Sequence, residues 1–408
     1  MKIVLITSGQ PSLNPRLIKE ADALTNAGHQ VTVIYQYWNE WGTAFDKELL
    51  KEKKWGAYQV GGSPMQQRLI YWFSRLRYKL ANLAIDLIGF KGVLPEMSIG
   101  RCTQMFVKKA KSIKADLYIG HNLAALPAVV KVAKFHRSKC GFDAEDLHRF
   151  ETNIESEIKL KAYIENKYFD KVDYLTTSSP QIAKKYTELF PTLIFHQILN
   201  VFPKTKVTSQ ASNNRSIKLF WFSQTIGLSR GVQDVIKSLK IIEELAIEFH
   251  ILGYLNERCK RSLDELVLSL NFTNPPCIKF YQPITASKIP DFASQFDIGM
   301  ATEPGFSINN HLALSNKLFT YLQAGLAIVA TETIAQRKFI CEHSYVGVSY
   351  EIGNVQQLAN ILLNYVQNST LLERHRAGSR SLFETTLNWN REALKFLSIV
   401  DNVLNQKI

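Results

Sequence analysis

The chain has 408 residues, 46% of them hydrophobic, so it can bury two cores, and two domains of roughly 200 residues are expected. Its five cysteines are widely spaced and include no C-x-x-C pair, which argues against a disulfide framework and a zinc site and favours a reduced cytoplasm. No apolar run approaches about 18 residues, and the chain begins with a strand pattern instead of a signal peptide, so any membrane contact is expected at the membrane surface.

The positive charge is concentrated in the first half of the chain. The formal net charge is +13. Residues 1–200 hold 28 Lys and Arg against 19 Asp and Glu, whereas residues 201–408 hold 21 against 17. This asymmetry predicts an anionic partner for the first half, either a membrane surface, an anionic glycan or nucleic acid.

The N-terminal sequence predicts a βαβ unit. Residues 2–7 form a short apolar run typical of a buried strand, Asn14 and Pro15 suit the N-cap and first position of a helix, and residues 30–35 predict the next strand. Such a unit opens a Rossmann-like sheet. The G-x-G-x-x-G fingerprint is absent, which argues against dinucleotide binding of the oxidoreductase kind.

A basic amphipathic segment follows. Residues 64–114 hold ten Lys or Arg against two acids, with large apolar residues interleaved at helical spacing. Helices of this kind can lie on anionic lipid. The alternative is a helix packed on its own domain with a solvated basic face. Nucleic acid is a weaker candidate, because no helix-turn-helix or RNA-binding signature accompanies the charge.

Two later strands in the first half end in polar residues. The strand predicted over 115–121 ends in His121 and Asn122, and the strand that begins at Cys140 leads to Asp143 and Glu145. Because the carboxyl ends of parallel strands line the crevice of such a sheet, His121 is a site candidate, with a structural histidine as the alternative. Asp143 and Glu145 could orient or deprotonate a hydroxyl, or could cap a helix.

The pattern then changes at a polar stretch, Thr205 to Arg215, which predicts a domain linker. A second series of strands alternating with helices begins at Ile217, passes through a loop that carries Arg230 just before a helix, and closes with a long helix from Trp389.

The segment Ser315–Gly325 predicts a helix with Ser315 as N-cap and Gly325 at its end. Lys317 falls in the first turn, where the helix dipole disfavours a cation. A phosphate bound at this helix N-terminus would remove the conflict, and a solvated lysine is the alternative.

Several motifs in the chain resemble GT-B glycosyltransferases, in particular family 4. The main one reads Asn316-Lys317-Leu318-Phe319-x-Tyr321-Leu322-x-Ala324-Gly325-Leu326 and is similar to the donor-binding helix of that family. Weaker matches are Asn14-Pro-Arg16, Ala27 to Val33, Arg230-Gly231 and Glu303-Pro-Gly-Phe306.

The chain departs from the family at three points. The Glu that holds the nucleotide ribose in the family is Thr320 here, and the partner Glu eight residues earlier is Leu312. Glu303 is seventeen residues before Thr320, whereas the two Glu residues of the family are eight residues apart. An Arg of the diphosphate loop is replaced by Ser223 or Gln224.

The resemblance implies an α/β protein of the GT-B fold, with two Rossmann-like domains facing each other across a cleft. Residues 1–200 would bind the acceptor, residues 201–385 would bind the nucleotide sugar, and residues 386–408 would form a helix that crosses back to the first domain.

The implied activity is transfer of a sugar from a nucleotide diphosphate donor to a glycan or lipid-linked acceptor, retaining and metal-independent, in bacterial surface polysaccharide synthesis. The protein would be cytoplasmic and peripheral on the inner face of the membrane. No cofactor or metal is expected, since cations and helix dipoles would stabilise the leaving diphosphate. Two alternatives stay open: a sugar-nucleotide epimerase of the same architecture, and a catalytically silent GT-B module that binds a glycan or a partner enzyme.

The implied catalytic residues are His121, Asp143 and Glu145. The implied donor-binding residues are Gly9, Gln224, Arg230, Glu303, Asn316, Lys317 and Thr320.

Overall fold

The computed structural model describes residues 1–204 and 216–406, so the predicted linker at 205–215 lies outside the described residues. The chain divides into two compact units. The first unit comprises Met1–Leu199 and Glu392–Ile408, and the second comprises Asn200–Arg391.

The first unit is a seven-stranded parallel sheet with helices between the strands. Its strands are β1 (Lys2–Thr7), β2 (Gln30–Gln36), β3 (Gly56–Val60), β4 (Leu117–His121), β5 (Lys139–Ala144), β6 (Tyr174–Thr177) and β7 (Phe195–Gln197). Its helices are α1 (Pro15–Asn26), α2 (Glu40–Lys51), α3 (Arg68–Ile88), α4 (Leu94–Ile99), α5 (Thr103–Lys111), α6 (Leu126–His136), α7 (Glu155–Tyr168) and α8 (Pro180–Leu189). The strand order is β3-β2-β1-β4-β5-β6-β7.

The second unit repeats this plan with six parallel strands. They are β8 (Ile217–Thr225), β9 (Ile247–Tyr254), β10 (Cys277–Tyr281), β11 (Ile298–Ala301), β12 (Ala327–Thr331) and β13 (Gly347–Tyr350). The helices are α9 (Val232–Ile241), α10 (Glu257–Ser269), α11 (Ile289–Ala293), α12 (Ile308–Leu312), α13 (Asn316–Ala324), α14 (Ile334–Glu342), α15 (Val355–Gln367) and α16 (Ser369–Thr385). The strand order is β10-β9-β8-β11-β12-β13. The last helix, α17 (Trp389–Asn405), belongs to the first unit from Glu392 onwards.

Local signals in the sequence account for these elements. The Asn14 side chain accepts a hydrogen bond from the Leu17 amide, and Pro15 is the first residue of α1. Ser315 caps α13, and Gly325 ends it at φ 70°, a conformation that glycine adopts without strain. The segment after Asn122 starts with a 3-10 turn over Leu123–Ala125 and becomes α-helical at Leu126.

Each sheet has one point where the strand order reverses. In the first unit it lies between β1 and β4, where Thr7 is paired with His121. In the second unit it lies between β8 and β11. Parallel sheets of this kind bind ligands outside the carboxyl ends of the strands at such a point, so both polar strand ends are candidate sites.

Candidate functional site

In the second unit, an acid from the loop after β11 meets a lysine in the first turn of α13. The Lys317 Nζ lies 2.6 Å from Glu303 Oε1, which also accepts a hydrogen bond of 2.8 Å from Ser315 Oγ. Glu303 Oε2 accepts a hydrogen bond from Asn310, on α12. Despite its burial, these partners hold the pKa of Glu303 below its usual value. The carboxylate is therefore ionised, and both of its oxygens accept hydrogen bonds.

Glu303 is positioned through its backbone as well. Its amide donates to Thr331 Oγ1 at the end of β12, and the same hydroxyl donates to the Glu303 carbonyl. The segment that follows contains α12, which accounts for the long spacing between Glu303 and Thr320. The residues between them include a local helix that supplies Asn310, and Glu303 contacts the first turn of α13 through Lys317.

The expectation for Lys317 needs correction. Only 7% of the residue is exposed, and its ammonium lies 5.3 Å from the centre of the Trp221 ring. The solvated lysine is therefore wrong. The unfavourable helix position is already compensated without a phosphate, because a buried carboxylate and an aromatic face both favour the cation.

The other two predicted residues of α13 differ in exposure, because Asn316 is exposed and Thr320 is buried. Asn316 accepts a hydrogen bond of 2.9 Å from the Asn200 side chain. Thr320 is 1% exposed. Thr320 therefore lies inside the second unit, whereas Asn316 lies at its surface.

Arg230 lies at the end of the β8 loop and is exposed. Its guanidinium donates to Ser223 Oγ over 3.2 Å, and its carbonyl accepts from Thr302 Oγ1. The Trp221 indole donates to the same Thr302 hydroxyl. This chain of contacts brings Arg230 and Lys317 to the same strand ends.

The N-terminus of α9 follows Arg230 directly. Its N-cap is Gly231 at φ 80°, where a Cβ would come within 2.6 Å of Thr302. Only glycine fits this position, so no side chain caps α9 and its first amides stay available to an anion. Gln224, at the end of β8, is exposed.

In the first unit, the predicted residues His121 and Asp143 belong to a buried cluster of charges. The Arg16 guanidinium donates to Asp143 Oδ2 and Oδ1 over 2.5 and 2.8 Å and to the Ile198 carbonyl. Glu20, one helical turn from Arg16, lies 3.1 Å from His121 Nε2. His121 Nδ1 lies 3.3 Å from Asp143 Oδ2.

These contacts set the protonation states. Burial alone would lower the pKa of His121, but the carboxylates of Glu20 and Asp143 raise it to about 10, so the ring is an imidazolium at neutral pH. Arg16 holds the pKa of Asp143 well below its usual range in spite of burial. Both ring nitrogens of His121 face carboxylates and the residue is 1% exposed, which favours the structural alternative for this histidine.

Asp143 does not cap a helix, so that expectation is wrong. It lies within β5, and its oxygens accept from Arg16 and from Thr176 Oγ1. Glu145 differs, because it is only partly buried. Burial and the neighbouring charges of Asp146 and Asp143 raise the pKa of Glu145 to about 7, the range that suits a group exchanging protons at neutral pH.

Another predicted residue, Gly9, also lies at this strand edge. Gly9 follows β1, and its amide donates to Thr7 Oγ1, which in turn donates to Asn122. Glu20, His121 and Asp143 could together supply three ligand atoms to a metal ion. Arg16 already occupies both oxygens of Asp143, so a cation would have to displace a guanidinium.

Arg16 and Glu20 were not among the predicted site residues. A signal was present, since both lie beside the apolar positions of α1 at a spacing of four residues. An oppositely charged pair next to a buried stripe is unusual unless it is paired within the fold.

No family model and no curated protein matches this chain. Its structure is similar to HepE from Anabaena in complex with UDP, with a TM-score of 0.70, 13% identity, and coverage of 98% of this chain and 100% of that chain. A glycosyltransferase from Rickettsia africae has a TM-score of 0.70, 14% identity, and coverage of 100% and 99%. A variant of S. aureus TarM in complex with fondaparinux, α-GlcNAc-glycerol and UDP has a TM-score of 0.71, 11% identity, and full coverage of both chains.

At these identities the similarity establishes the fold. The protein has the GT-B fold, with two Rossmann-like units, which confirms the fold class expected from the motifs.

Proposed function

We propose that this protein is a glycosyltransferase that moves a sugar from a nucleoside diphosphate donor to a glycan or lipid-linked acceptor in the synthesis of a bacterial surface polysaccharide. The observation that carries the proposal is the pairing of Glu303 with Lys317 at the start of α13, beside the strand ends that also carry Arg230. Similar folds bind UDP in HepE and in TarM, which supports a nucleotide ligand.

The donor diphosphate is held by cations and backbone amides of the second unit. Arg230 is exposed and precedes the uncapped amides of α9, so it reaches a phosphate without losing a buried partner. Lys317 neutralises part of the same charge from its place between Glu303 and Trp221. Asn316, Thr320, Gln224 and Gly9 remain proposed donor contacts. Transfer is proposed to be metal-independent and retaining, with Arg230 and Lys317 stabilising the leaving diphosphate.

The acceptor is assigned to the first unit. Glu145, with its raised pKa, is the proposed group that orients or deprotonates the acceptor hydroxyl. Asp143, Arg16 and His121 hold the strand ends beside it as an ion cluster. His121 remains a proposed sugar contact only if donor binding draws it away from Glu20.

A catalytically silent GT-B module is the second candidate, and Thr320 in place of the family's Glu favours it. The deciding experiment measures nucleotide release from a panel of UDP and GDP sugars, with and without lipid-linked acceptors. A transferase releases nucleotide only when a suitable acceptor is added. Release without acceptor indicates hydrolysis of the donor, and conversion of the donor into a different nucleotide sugar without release indicates an epimerase. Binding with neither release nor conversion indicates a silent module.

We also propose that the protein works on the inner face of the cytoplasmic membrane, where a lipid-linked acceptor would be.

A further inference from the structure

The helix α3 exposes a continuous row of large apolar side chains. They are Trp72, Phe73 and the leucines at 69, 76, 80, 83 and 87, and each is more than half exposed. At about 100° per residue, the seven positions fall within an arc of about 100°. Exposed patches this long on a folded protein mark an interaction surface.

The orientation of α3 is determined by its other side. Tyr71, Ser74 and Ala81 are buried against the first unit. Arg101 donates to Ser74 Oγ over 2.7 Å, and its guanidinium lies 5.0 Å from the centre of the Tyr71 ring. Turning the apolar row inward would break these contacts, so the row faces solvent because the opposite face is packed.

Charges border the row. Arg68, Arg75 and Lys79 lie along one side and Arg77 along the other, and Asp86 is the single acid of the helix. An apolar stripe between cations is complementary to the acyl chains and phosphates of an anionic bilayer. A second copy of the chain would bring like charges together, which disfavours self-association through this face.

The length of the helix agrees with this orientation. Its 21 residues span about 30 Å, and no helix within residues 1–204 and 216–406 is long and apolar enough to cross a bilayer. A helix of this kind lies along the membrane surface.

We infer that α3 docks this protein on anionic membrane by inserting its apolar row between the acyl chains while Arg68, Arg75 and Lys79 contact lipid phosphates. Tyr71 of α3 contacts the ring of Tyr37, just after β2, edge-to-face at 5.8 Å, and the next residue, Trp38, is exposed. The docked helix therefore begins beside the carboxyl edge of the first sheet. Delivery of a lipid-linked acceptor to that edge rests on the proposed function, whereas docking rests on the helix alone.

The test is flotation of the whole protein with vesicles of phosphatidylethanolamine and phosphatidylglycerol, compared with vesicles of phosphatidylcholine alone. We expect binding to the anionic vesicles and about tenfold or more weaker partitioning for Leu76→Glu/Leu80→Glu, because the insertion of two large apolar groups is lost. Arg75→Gln/Lys79→Gln should weaken binding and reduce its dependence on salt. The matched control is Leu268→Glu/Leu394→Glu, which places the same two charges at exposed leucines of α10 and α17.

Two results would overturn the inference. One is unchanged vesicle binding by Leu76→Glu/Leu80→Glu while circular dichroism shows an intact fold. The other is a dimer in solution that ignores vesicles and dissociates in the same variant, which would assign the row to a second copy. No nucleotide or acceptor is present in this assay, so its outcome is independent of whether the protein transfers a sugar.

Discussion

Arg16 and Asp143 form a bidentate ion pair in the interior of the first unit, although 127 residues separate them in the chain. The pair joins α1 to β5, and neither side chain is more than 1% exposed. Because both charges are buried away from water, each is stabilised mainly by its interaction with the other. The cluster around His121 is thus part of what holds this sheet edge together.

Removing one partner of this pair should destabilise the protein strongly. Asp143→Asn leaves the Arg16 guanidinium buried beside a neutral amide, and we expect the free energy of unfolding in urea to fall by about 3 kcal/mol. The matched control is Asp170→Asn at the exposed pair with Lys171, which should change it by less than about 0.5 kcal/mol. Equal effects in the two variants would contradict the reading of Asp143 as a buried structural charge.

The stabilisation by His121 should depend on pH. The folded protein keeps the imidazolium up to a pKa of about 10, whereas the unfolded chain releases the proton near pH 6.5. The contribution is therefore complete below about pH 6.5 and is lost as the pH rises to about 10, with a slope of up to about 1.4 kcal/mol per pH unit.

The measurement is urea unfolding of the native protein and of His121→Gln at several pH values between 6 and 10. The stability difference between the two should shrink as the pH rises. A difference that stays constant over this range would mean that His121 is neutral in the folded state.

Lys317 and Arg230 should differ in their effect on the ligand-free protein. Lys317→Ala leaves Glu303 as a buried carboxylate without its ammonium partner, so the free energy of unfolding should fall by about 3 kcal/mol. Arg230→Ala removes the same charge from an exposed position and should change it by less than about 0.5 kcal/mol.

A companion variant tests the cause. Glu303→Gln/Lys317→Met removes both charges and should recover part of the stability lost in Lys317→Ala, because no uncompensated charge stays buried. If the double variant is less stable than the single one, the pair itself is not the source of the effect.

Arg230 and Lys317 should both contribute to nucleotide binding if the proposed function is correct. Arg230 gives the simpler test, because its removal should leave the ligand-free protein stable. Arg230→Ala should weaken UDP or GDP binding by about tenfold to a hundredfold, since a charge-assisted hydrogen bond contributes about 1.5 to 3 kcal/mol. Calorimetric titration with diphosphate, monophosphate and nucleoside measures this, and the loss should be largest for the diphosphate. A uniform loss for all three ligands would place Arg230 away from the phosphates.

Glu145 should give the transfer rate a pH dependence near neutrality. Its pKa of about 7 means that the ionised form, which can accept a proton, increases as the pH rises through 7. We expect kcat/KM to rise over pH 6 to 8 and the rise to disappear in Glu145→Gln. An unchanged profile in Glu145→Gln would assign the dependence to another group.

The elements that the sequence predicted correctly are those determined by residues close together in the chain. The strand at residues 2–7, the caps at Asn14 and Ser315 and the helix end at Gly325 all occur as predicted. Each depends on residues within a few positions of one another, so one stretch of sequence contains the whole signal. The edge strand β3 and the short helix α12 were not predicted, because each has only five residues and a weak pattern.

The sequence alone determined the alternation of strands and helices, the caps and the presence of a lysine in the first turn of α13. Only the tertiary structure decided that Lys317 meets Glu303, that Asp143 belongs to Arg16, and that α3 turns its apolar row to solvent. The reason is physical. Which strand ends and helix faces meet depends on the order of strands in the sheet, and a buried charge takes its protonation state from whichever partner that order brings beside it.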